Sequence, residues 1–412
     1  MMTGTMPLDD VRIIDLTQTT IGPFCTRMLG DYGADVIKIE RPGTGDPART
    51  MPPFFNDEPG IERSGLFLFL NTNKRSVTVD LESERGRQII RQLVENADVL
   101  VENFAPGVMG EMGLGYEALT EVNPRIVVTS LSNYGQSGPY HDFAGTEINL
   151  YGMGGNMIAS GDIDHEPVKT AGRMVNYHAG YVGALATTMS LHATEFLRDG
   201  IGEHLDVSVF ETATHSIDSR LGRLMGYQHS GNVGTRPGRS AAVASGVFQC
   251  ADGWFLITGT ATFVHLVIKM IGMDELLEQP EWATVAERAK PERIDEFAAY
   301  LVPWMLERTK SEVRDACEAY GILGGPMNTI ADLLSDPGFE SRGYFQEIDH
   351  PTTGAIKYPG FHFTIHRDAE GGGPMPARRR APLLGEHTDE VLSEGLGLSD
   401  DEISRLRAER VI

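Results

Sequence analysis

Five basic side chains lie at or near the ends of apolar runs that the sequence predicts as strands. They are Lys38, Arg41, Arg49, Lys74 and Arg75. Guanidinium and ammonium groups bind phosphate through charge-assisted hydrogen bonds, so this grouping in an acidic chain favours a phosphate-rich ligand. A residue of this kind taken alone is more often a solvated surface charge. The pattern therefore indicates an anion site without fixing its members.

The sequence lacks the short motifs of several common enzyme classes. The loop after the first predicted strand reads TQTTIGP and lacks the G-x-G-x-x-G of dinucleotide-binding proteins. Glu40, at the end of the second predicted strand, is the only feature that matches the ribose-binding acid of such proteins. The phosphate-binding G-x-x-x-x-G-K-[ST] pattern, the G-x-S-x-G of serine hydrolases and metal-binding H-E-x-x-H are absent. We therefore expect no metal, and we disfavour nicotinamide chemistry, nucleotide hydrolysis and serine hydrolysis.

The elements around the basic residues follow a strand, helix, strand order. VRIIDL from Val11, a helical stretch closed by Gly33, and ADVIKIE form a predicted βαβ unit. The order recurs in SVTVDL, a helical run with one apolar face (Ile89, Ile90, Leu93 and Val94), DVLVENF and NPRIVVTSLS. Strands that are continuously apolar are buried on both faces. The sequence predicts an α/β fold with a Rossmann-like parallel sheet.

Changes in composition divide the chain into four predicted regions. Residues 1–220 form a large domain, 221–245 a Gly- and Ser-rich linker, 246–335 a smaller α/β domain, and 336–412 a segment that returns to the large domain. A hairpin is expected around the Ala-Asp-Gly turn of GVFQCADGWFLITG, with helices near 263–273, 293–307 and 310–320. In the last region we expect strands at 355–358 and 362–365.

The charge balance narrows the range of partners. Lys and Arg total 35 against 58 Asp and Glu, a formal charge of −23, which repels nucleic acid and anionic lipid. The three cysteines, Cys25, Cys250 and Cys317, are far apart and show no metal or disulfide spacing. No apolar run approaches the roughly 18 residues of a membrane helix. We expect a cytoplasmic protein that binds neither nucleic acid nor membrane.

Longer strings carry a specific resemblance that spans nearly the whole chain. The strings are DLTQTTIGPFCTRMLGDYGADVIKIERPGTGDPAR, LNTNKRSVTVDL, ADVLVENFAPGVMGEMGLGYEAL, NPRIVVTSLSNYGQSGPY, GIGEHLDVSVFE and APLLGEHTDEVL. In these strings the sequence resembles the family III CoA-transferases, a group that includes formyl-CoA, carnitine and benzylsuccinate CoA-transferases and the related α-methylacyl-CoA racemases.

The resemblance implies an interlocked dimer in which CoA lies along the first βα loop. Matching positions imply CoA-binding roles for Gln18, Thr19, Thr20, Ile21, Arg41, Lys74, Arg75, Asn103, Phe104 and Met112. An acyl-CoA and a carboxylic acid are the implied substrates, and coenzyme A is the implied cofactor. The partner is a second copy of this chain or a homologous subunit.

One departure from the family pattern falls on the reactive residue. In the family an Asp attacks the acyl-CoA thioester to give a mixed anhydride, and CoA then returns to form an aspartyl-CoA thioester. The matching stretch GRMVNYHAG places Asn176 there, and an amide has no anionic oxygen. The racemase alternative fails at the same residue and again at Thr146, which stands where its proton-carrying His is expected.

Several interpretations of Asn176 stay open at this point. The chain is a CoA-transferase subunit whose homologous partner brings the Asp, or the Asn was introduced to trap a complex. Alternatively, Glu147, Asp162 or Asp164 supplies the carboxylate, or the chain only binds CoA esters. A loop reading NVGTRPGRS, with Arg236 and Arg239, takes the place of the family's glycine-rich lid and suggests an anionic acceptor acid.

Overall fold

The computed structural model describes residues 6–216, 222–233, 236, 243–365 and 377–412. The chain divides into two compact units. The first unit comprises the ranges 1–158, 168–233 and 343–412, and the second comprises 159–167 and 234–342.

A six-stranded sheet forms the centre of the first unit. Every neighbouring pair of strands is parallel, and the strand order is β3-β2-β1-β4-β5-β6. The strands are β1 (Arg12–Asp15), β2 (Asp35–Glu40), β3 (Lys74–Thr78), β4 (Val99–Glu102), β5 (Val127–Ser132) and β6 (His204–Ser208). The predicted Rossmann-like parallel sheet is confirmed. β2, β4 and β5 are almost wholly buried because helices cover both faces of the sheet.

The helices of the first unit bury apolar side chains against the two faces of this sheet. One core cluster includes Ile89, Ile90, Leu93 and Val94, as the helical periodicity predicts, and the other includes Val175 and Ala179. These helices are α1 (Ile21–Asp31), α2 (Gly65–Leu70), α3 (Glu84–Val94), α4 (Val108–Glu111), α5 (Tyr116–Thr120), α6 (Glu147–Met153), α7 (Met174–Phe196), α8 (Val209–Ser216) and α9 (Gly222–Ser230).

The second unit has its own core around Phe255, Trp282 and Phe297. Its strands β7 (Ser245–Cys250) and β8 (Gly253–Thr258) form the predicted antiparallel hairpin, and β9 (Gly324–Pro326) pairs with β8. The helices predicted near 263–273, 293–307 and 310–320 are present as α10 (Val264–Met270), α13 (Glu292–Leu306) and α14 (Lys310–Tyr320). The helices are α10 (Val264–Met270), α11 (Pro280–Ala283), α12 (Val285–Arg288), α13 (Glu292–Leu306), α14 (Lys310–Tyr320), α15 (Ile330–Leu334) and α16 (Pro337–Ser341).

The last described residues return to the first unit. Strands β10 (Gln346–His350) and β11 (Gly354–Tyr358) form an antiparallel pair, and helices α17 (Thr388–Leu396) and α18 (Asp400–Ala408) follow. The strand expected at 362–365 is wrong. Phe363 instead stacks on Tyr32 with ring centroids 4.1 Å apart, and both its backbone N–H and C=O bond to the Tyr32 hydroxyl. Tyr32 thus satisfies the backbone groups that a strand partner would otherwise take.

No helix in the described ranges combines the length and the apolar character that crossing a bilayer requires.

Candidate active site

A cavity of about 470 Å³ opens at the carboxyl ends of β1, β4 and β5. In this strand order the chain moves outward from β1 through β2 and β3 and then crosses to β4 on the other side of β1. Such a switch point is where open α/β sheets bind ligands. The lining consists of Thr19, Ile21, Asn103, Phe104, Ala105, Pro106, Leu131, Ser132, Asn133, His141, Asp142, Phe143, Ala144, Gly145, Thr146, Glu147, Leu150 and Asn176. All of these residues belong to the first unit.

The loop between β1 and α1 is held in place by side chains from elsewhere in the fold. The Asn103 amide accepts a hydrogen bond from Gln18 N–H (2.7 Å) and donates one to Gln18 C=O (2.9 Å). Thr19 has a left-handed backbone, φ +65°, which is uncommon for a residue with a side chain, and its N–H donates to Asp46 Oδ1 (2.9 Å). Asn103 therefore positions the loop, because both ends of its amide are already bonded to Gln18.

A buried group of charges underlies this loop. Lys74 Nζ donates to Asp15 Oδ2 (2.9 Å), to Thr26 Oγ1 (2.7 Å) and to two further oxygens. Burial lowers the pKa of Lys74 to about 8, although the negative charge of Asp15 acts to raise it. Burial opposes the ionised form of Asp15, but Lys74 and Lys38 outweigh it and hold the pKa of Asp15 at about 2. Lys74 has three N–H donors and four acceptors, so it has no donor left for a phosphate.

The other basic residues expected at an anion site also have acidic partners. Arg75 pairs with Asp35 (2.6 Å), and exposed Arg41 pairs with Glu82 (2.6 Å). Arg49, fully buried, makes two hydrogen bonds to Glu40, and Lys38 pairs with Asp46 (2.9 Å). None of these cations is in the cavity lining. The structure thus does not bring the predicted phosphate-binding cluster together at this cavity.

The remaining expected CoA-binding residues divide between the cavity wall and the core. Thr19, Ile21, Asn103 and Phe104 line the cavity. Thr20, buried between Thr19 and Ile21, is the N-cap residue that directly precedes α1. Met112 is half-buried and packs, like Phe104, against the core cluster that contains α3.

Asn176 enters the cavity from the first turn of α7. Its Oδ1 atom is shielded from solvent and has no hydrogen-bond partner among the described residues. The carboxylate of Glu147 accepts hydrogen bonds from the backbone N–H groups of Val175 (2.8 Å) and Asn176 (3.1 Å). The first N–H groups of a helix have no partner within the helix, and an anion there is stabilised by the helix dipole. Glu147 therefore anchors the beginning of α7 against that of α6.

The cavity wall contains two residues that the sequence did not single out. His141 Nε2 lies 3.1 Å from Asp142 Oδ1, and both residues line the cavity. A third omission is Arg173, directly before α7, whose Nη1 donates to Thr20 Oγ1 (2.6 Å). Arg173 lies inside the quoted stretch GRMVNYHAG, three residues before Asn176, so its charge and position were visible in the sequence.

Other predicted contributors lie outside this site. Asp162 and Asp164 belong to the second compact unit. Arg239 lies outside the described residues, so the expected arginine lid has no structural description at that position. Within the described ranges, no group of three or more His, Cys, Asp or Glu side chains is arranged to hold a metal ion.

Comparisons with known proteins give a consistent result. Residues 8–388 match the family model described as CoA-transferase family III. The chain is 33% identical to a succinyl-CoA–D-citramalate CoA-transferase of Chloroflexus aurantiacus, over 98% of both chains. It is 33% identical to a succinyl-CoA:glutarate CoA-transferase of Mus musculus, over 98% of this chain and 90% of the relative. A crystal structure of a CaiB/BaiF family protein from Brucella suis aligns with a TM-score of 0.82 at 30% identity, covering 95% of this chain and all of the other.

Proposed function

The chain belongs to CoA-transferase family III, and we propose that its cavity binds an acyl-CoA whose CoA is transferred to a carboxylic acid. We further propose that Asn176 occupies the position of the family's nucleophilic Asp. One observation carries this proposal. Asn176 lines the same cavity as Thr19, Ile21, Asn103 and Phe104, the residues to which the family resemblance gives CoA-binding roles.

The chemistry of the amide limits what this chain does alone. A carboxylate oxygen attacks the thioester carbonyl and releases CoA thiolate, leaving an acyl anhydride on the enzyme. The Asn176 amide oxygen is neutral, so it cannot form that anhydride. The nucleophilic carboxylate then comes from elsewhere in the assembly. The second candidate function of this chain is therefore that of a CoA-ester-binding subunit that pairs with an Asp-bearing homologue.

Neither of the two carboxylates in the cavity wall is suited to act as the nucleophile, which supports this second candidate. Glu147 accepts two backbone hydrogen bonds, which stabilise its anion and lower its nucleophilicity. Asp142 is exposed and lies within ion-pair distance of His141. Neither carboxylate is both desolvated and free of donors, as an activated nucleophile requires. A racemase has no better support, because Thr146 carries no titratable proton near neutral pH and its hydroxyl donates to Asn149.

An apolar stripe on α7 supports the predicted partner chain. Tyr181, Leu185, Met189 and Phe196 follow one another at helical spacing and are 39%, 61%, 62% and 70% exposed. The opposite side of α7 is buried against the core of the first unit. A continuous exposed apolar face on a helix is typical of a protein interface. We propose that a second chain, identical or homologous, covers it.

A transfer assay tests the proposal. Succinyl-CoA is the donor, and glutarate and oxalate are the acceptors, since these acids appear in the names of the relatives. We expect no transfer by the chain alone, and transfer by Asn176→Asp or by the chain mixed with an Asp-bearing homologous subunit. Asn96→Asp is the matched control, because it adds the same charge at an exposed site outside the cavity.

Transfer by the unaltered chain alone would overturn the subunit proposal, and Glu147→Gln and Asp142→Asn would then identify the carboxylate used. A folded Asn176→Asp protein that binds CoA esters but transfers no CoA would show that residue 176 is not at the reacting end of the ligand.

A further inference from the structure

Arg173 is a half-buried arginine that forms no ion pair within the described part of the chain. Its Nη1 donates to Thr20 Oγ1 (2.6 Å), and its Nη2 lies 3.9 Å from Met51 Sδ, a weak acceptor. A guanidinium carries five N–H donors in a planar fork, so most of its donors are unused. A partly desolvated cation with free donors is stabilised by an anion.

The neighbouring cation Lys169 provides a contrast. Its Nζ donates to the backbone C=O groups of Thr170 and Gly172, each at 2.6 Å, and lies 3.9 Å from Glu147 Oε1. Lys169 thus has internal partners for its charge and its protons. Among the described residues, Arg173, four residues further along the chain, has only a hydroxyl and a thioether as partners.

Arg173 lies near Asn176, the residue that we place at the reacting end of the cavity. It directly precedes α7 and lies three residues before Asn176. Its partner Thr20 is flanked in the chain by Thr19 and Ile21, which line the cavity. Arg173 is not itself in the cavity lining, but its guanidinium bonds to the residue between two lining residues, so its free donors lie close to the wall formed by Thr19 and Ile21.

We propose that Arg173 binds a second carboxylate, one that does not react, carried by the acyl group of the acyl-CoA. The planar fork of the guanidinium matches the two oxygens of a carboxylate. The substrate class of this site is then the mono-CoA esters of dicarboxylic acids. This inference rests on the proposed function, because it requires an acyl-CoA in the cavity.

Calorimetric titration with matched ligands tests the inference without requiring turnover. The probes are succinyl-CoA, butyryl-CoA and free CoA, of which the first two differ only in the terminal carboxylate. We expect the unaltered protein to prefer succinyl-CoA over butyryl-CoA by roughly tenfold to a hundredfold, the range of a charge-assisted hydrogen-bonded pair. Arg173→Met is expected to abolish the preference while leaving butyryl-CoA and CoA unchanged, and Arg173→Lys to retain part of it.

Arg125→Met is the control, because Arg125 pairs with Glu195 on the surface and lies outside the cavity lining. An equal loss of affinity for all three ligands in Arg173→Met would overturn the inference and assign the guanidinium to a CoA phosphate. If Arg173→Met does not fold, the unaltered protein still tests the inference. Equal affinity of that protein for succinyl-CoA and butyryl-CoA would overturn the inference but not the proposed function. Failure of all three ligands to bind the unaltered protein would overturn the proposed function as well.

Discussion

Replacing Glu147 by Gln tests whether this carboxylate anchors α7 or performs chemistry. Glu147 receives hydrogen bonds from two backbone N–H groups, those of Val175 and Asn176. Glutamine retains one carbonyl oxygen for one of them but turns an NH₂ group toward the other. The substitution therefore removes one charge-assisted hydrogen bond, worth about 1.5–3 kcal/mol, and a favourable charge at a helix N-terminus, worth about 0.3–1 kcal/mol.

The side chain of Glu147 is only 12% exposed, but the adjoining cavity lets water reach the N–H group that loses its partner. We therefore expect a loss of stability in the lower part of the combined energy range. About 2 kcal/mol of local stability corresponds to roughly thirtyfold faster amide exchange. Hydrogen–deuterium exchange followed by mass spectrometry measures it at the first turn of α7. Exchange at the far end of this helix is expected to stay unchanged.

Glu117→Gln is the matched control, because Glu117 lies in the first turn of α5 and is exposed. Unchanged exchange at Val175 and Asn176 in the Glu147→Gln protein would refute the anchoring role. If CoA transfer by the assembled enzyme were also lost in that variant, Glu147 would be the reacting carboxylate.

Three further perturbations address the loop and the charges around it. Asn103→Asp is expected to weaken CoA binding about tenfold in calorimetric titration, because a carboxylate repels the C=O of Gln18 to which the amide donates. Lys74→Met is expected to lower the free energy of unfolding in urea by about 3–5 kcal/mol, because it removes the cation that is hydrogen-bonded to the buried Asp15 carboxylate. Burial lowers the pKa of His350 below its usual 6.5, so on acidification the unfolded chain binds a proton before the native state does. Stability therefore falls as the pH drops through 6.5 toward the lower native pKa. His350→Gln is expected to make that decline in unfolding free energy shallower.

Each of these expectations has a control or an outcome that contradicts it. Arg125→Met, which breaks an exposed pair, is expected to change the unfolding free energy by less than about 1 kcal/mol, and an equal loss in Lys74→Met would contradict the buried-pair assignment. Unchanged CoA affinity in a folded Asn103→Asp protein would contradict the positioning role. An identical pH slope in His350→Gln would show that other groups cause the acid sensitivity.

The sequence predicted the sheet well because burial leaves a local signature. β1, β4 and β5 are short and largely apolar runs, and the spacing of the apolar residues of α3 shows which face is buried. The hairpin of β7 and β8 followed from its turn residues. The run at 362–365 has the same local signature, but Tyr32, distant in sequence, satisfies its backbone instead.

The candidate site was predicted less well because ion pairing is a property of the tertiary structure. Lys74 has the same charge in the sequence whether it faces a phosphate or Asp15, and only the fold shows that its partners are internal. The contact of Glu147 with the first turn of α7 joins two helices separated by a long loop. The sequence shows the charge of Arg173, but only the fold shows that no carboxylate of the described residues pairs with it.

The most direct test is whether residue 176 meets the thioester. The Asn176→Asp protein is incubated with succinyl-CoA, treated with hydroxylamine, digested and mapped by mass spectrometry. We predict a hydroxamate at residue 176 in this variant and none there in the unaltered protein, since hydroxylamine captures an aspartyl anhydride or thioester but not an amide. A variant that binds succinyl-CoA yet carries the hydroxamate on a different acid, or carries none, would contradict the assignment of Asn176 to the nucleophile position.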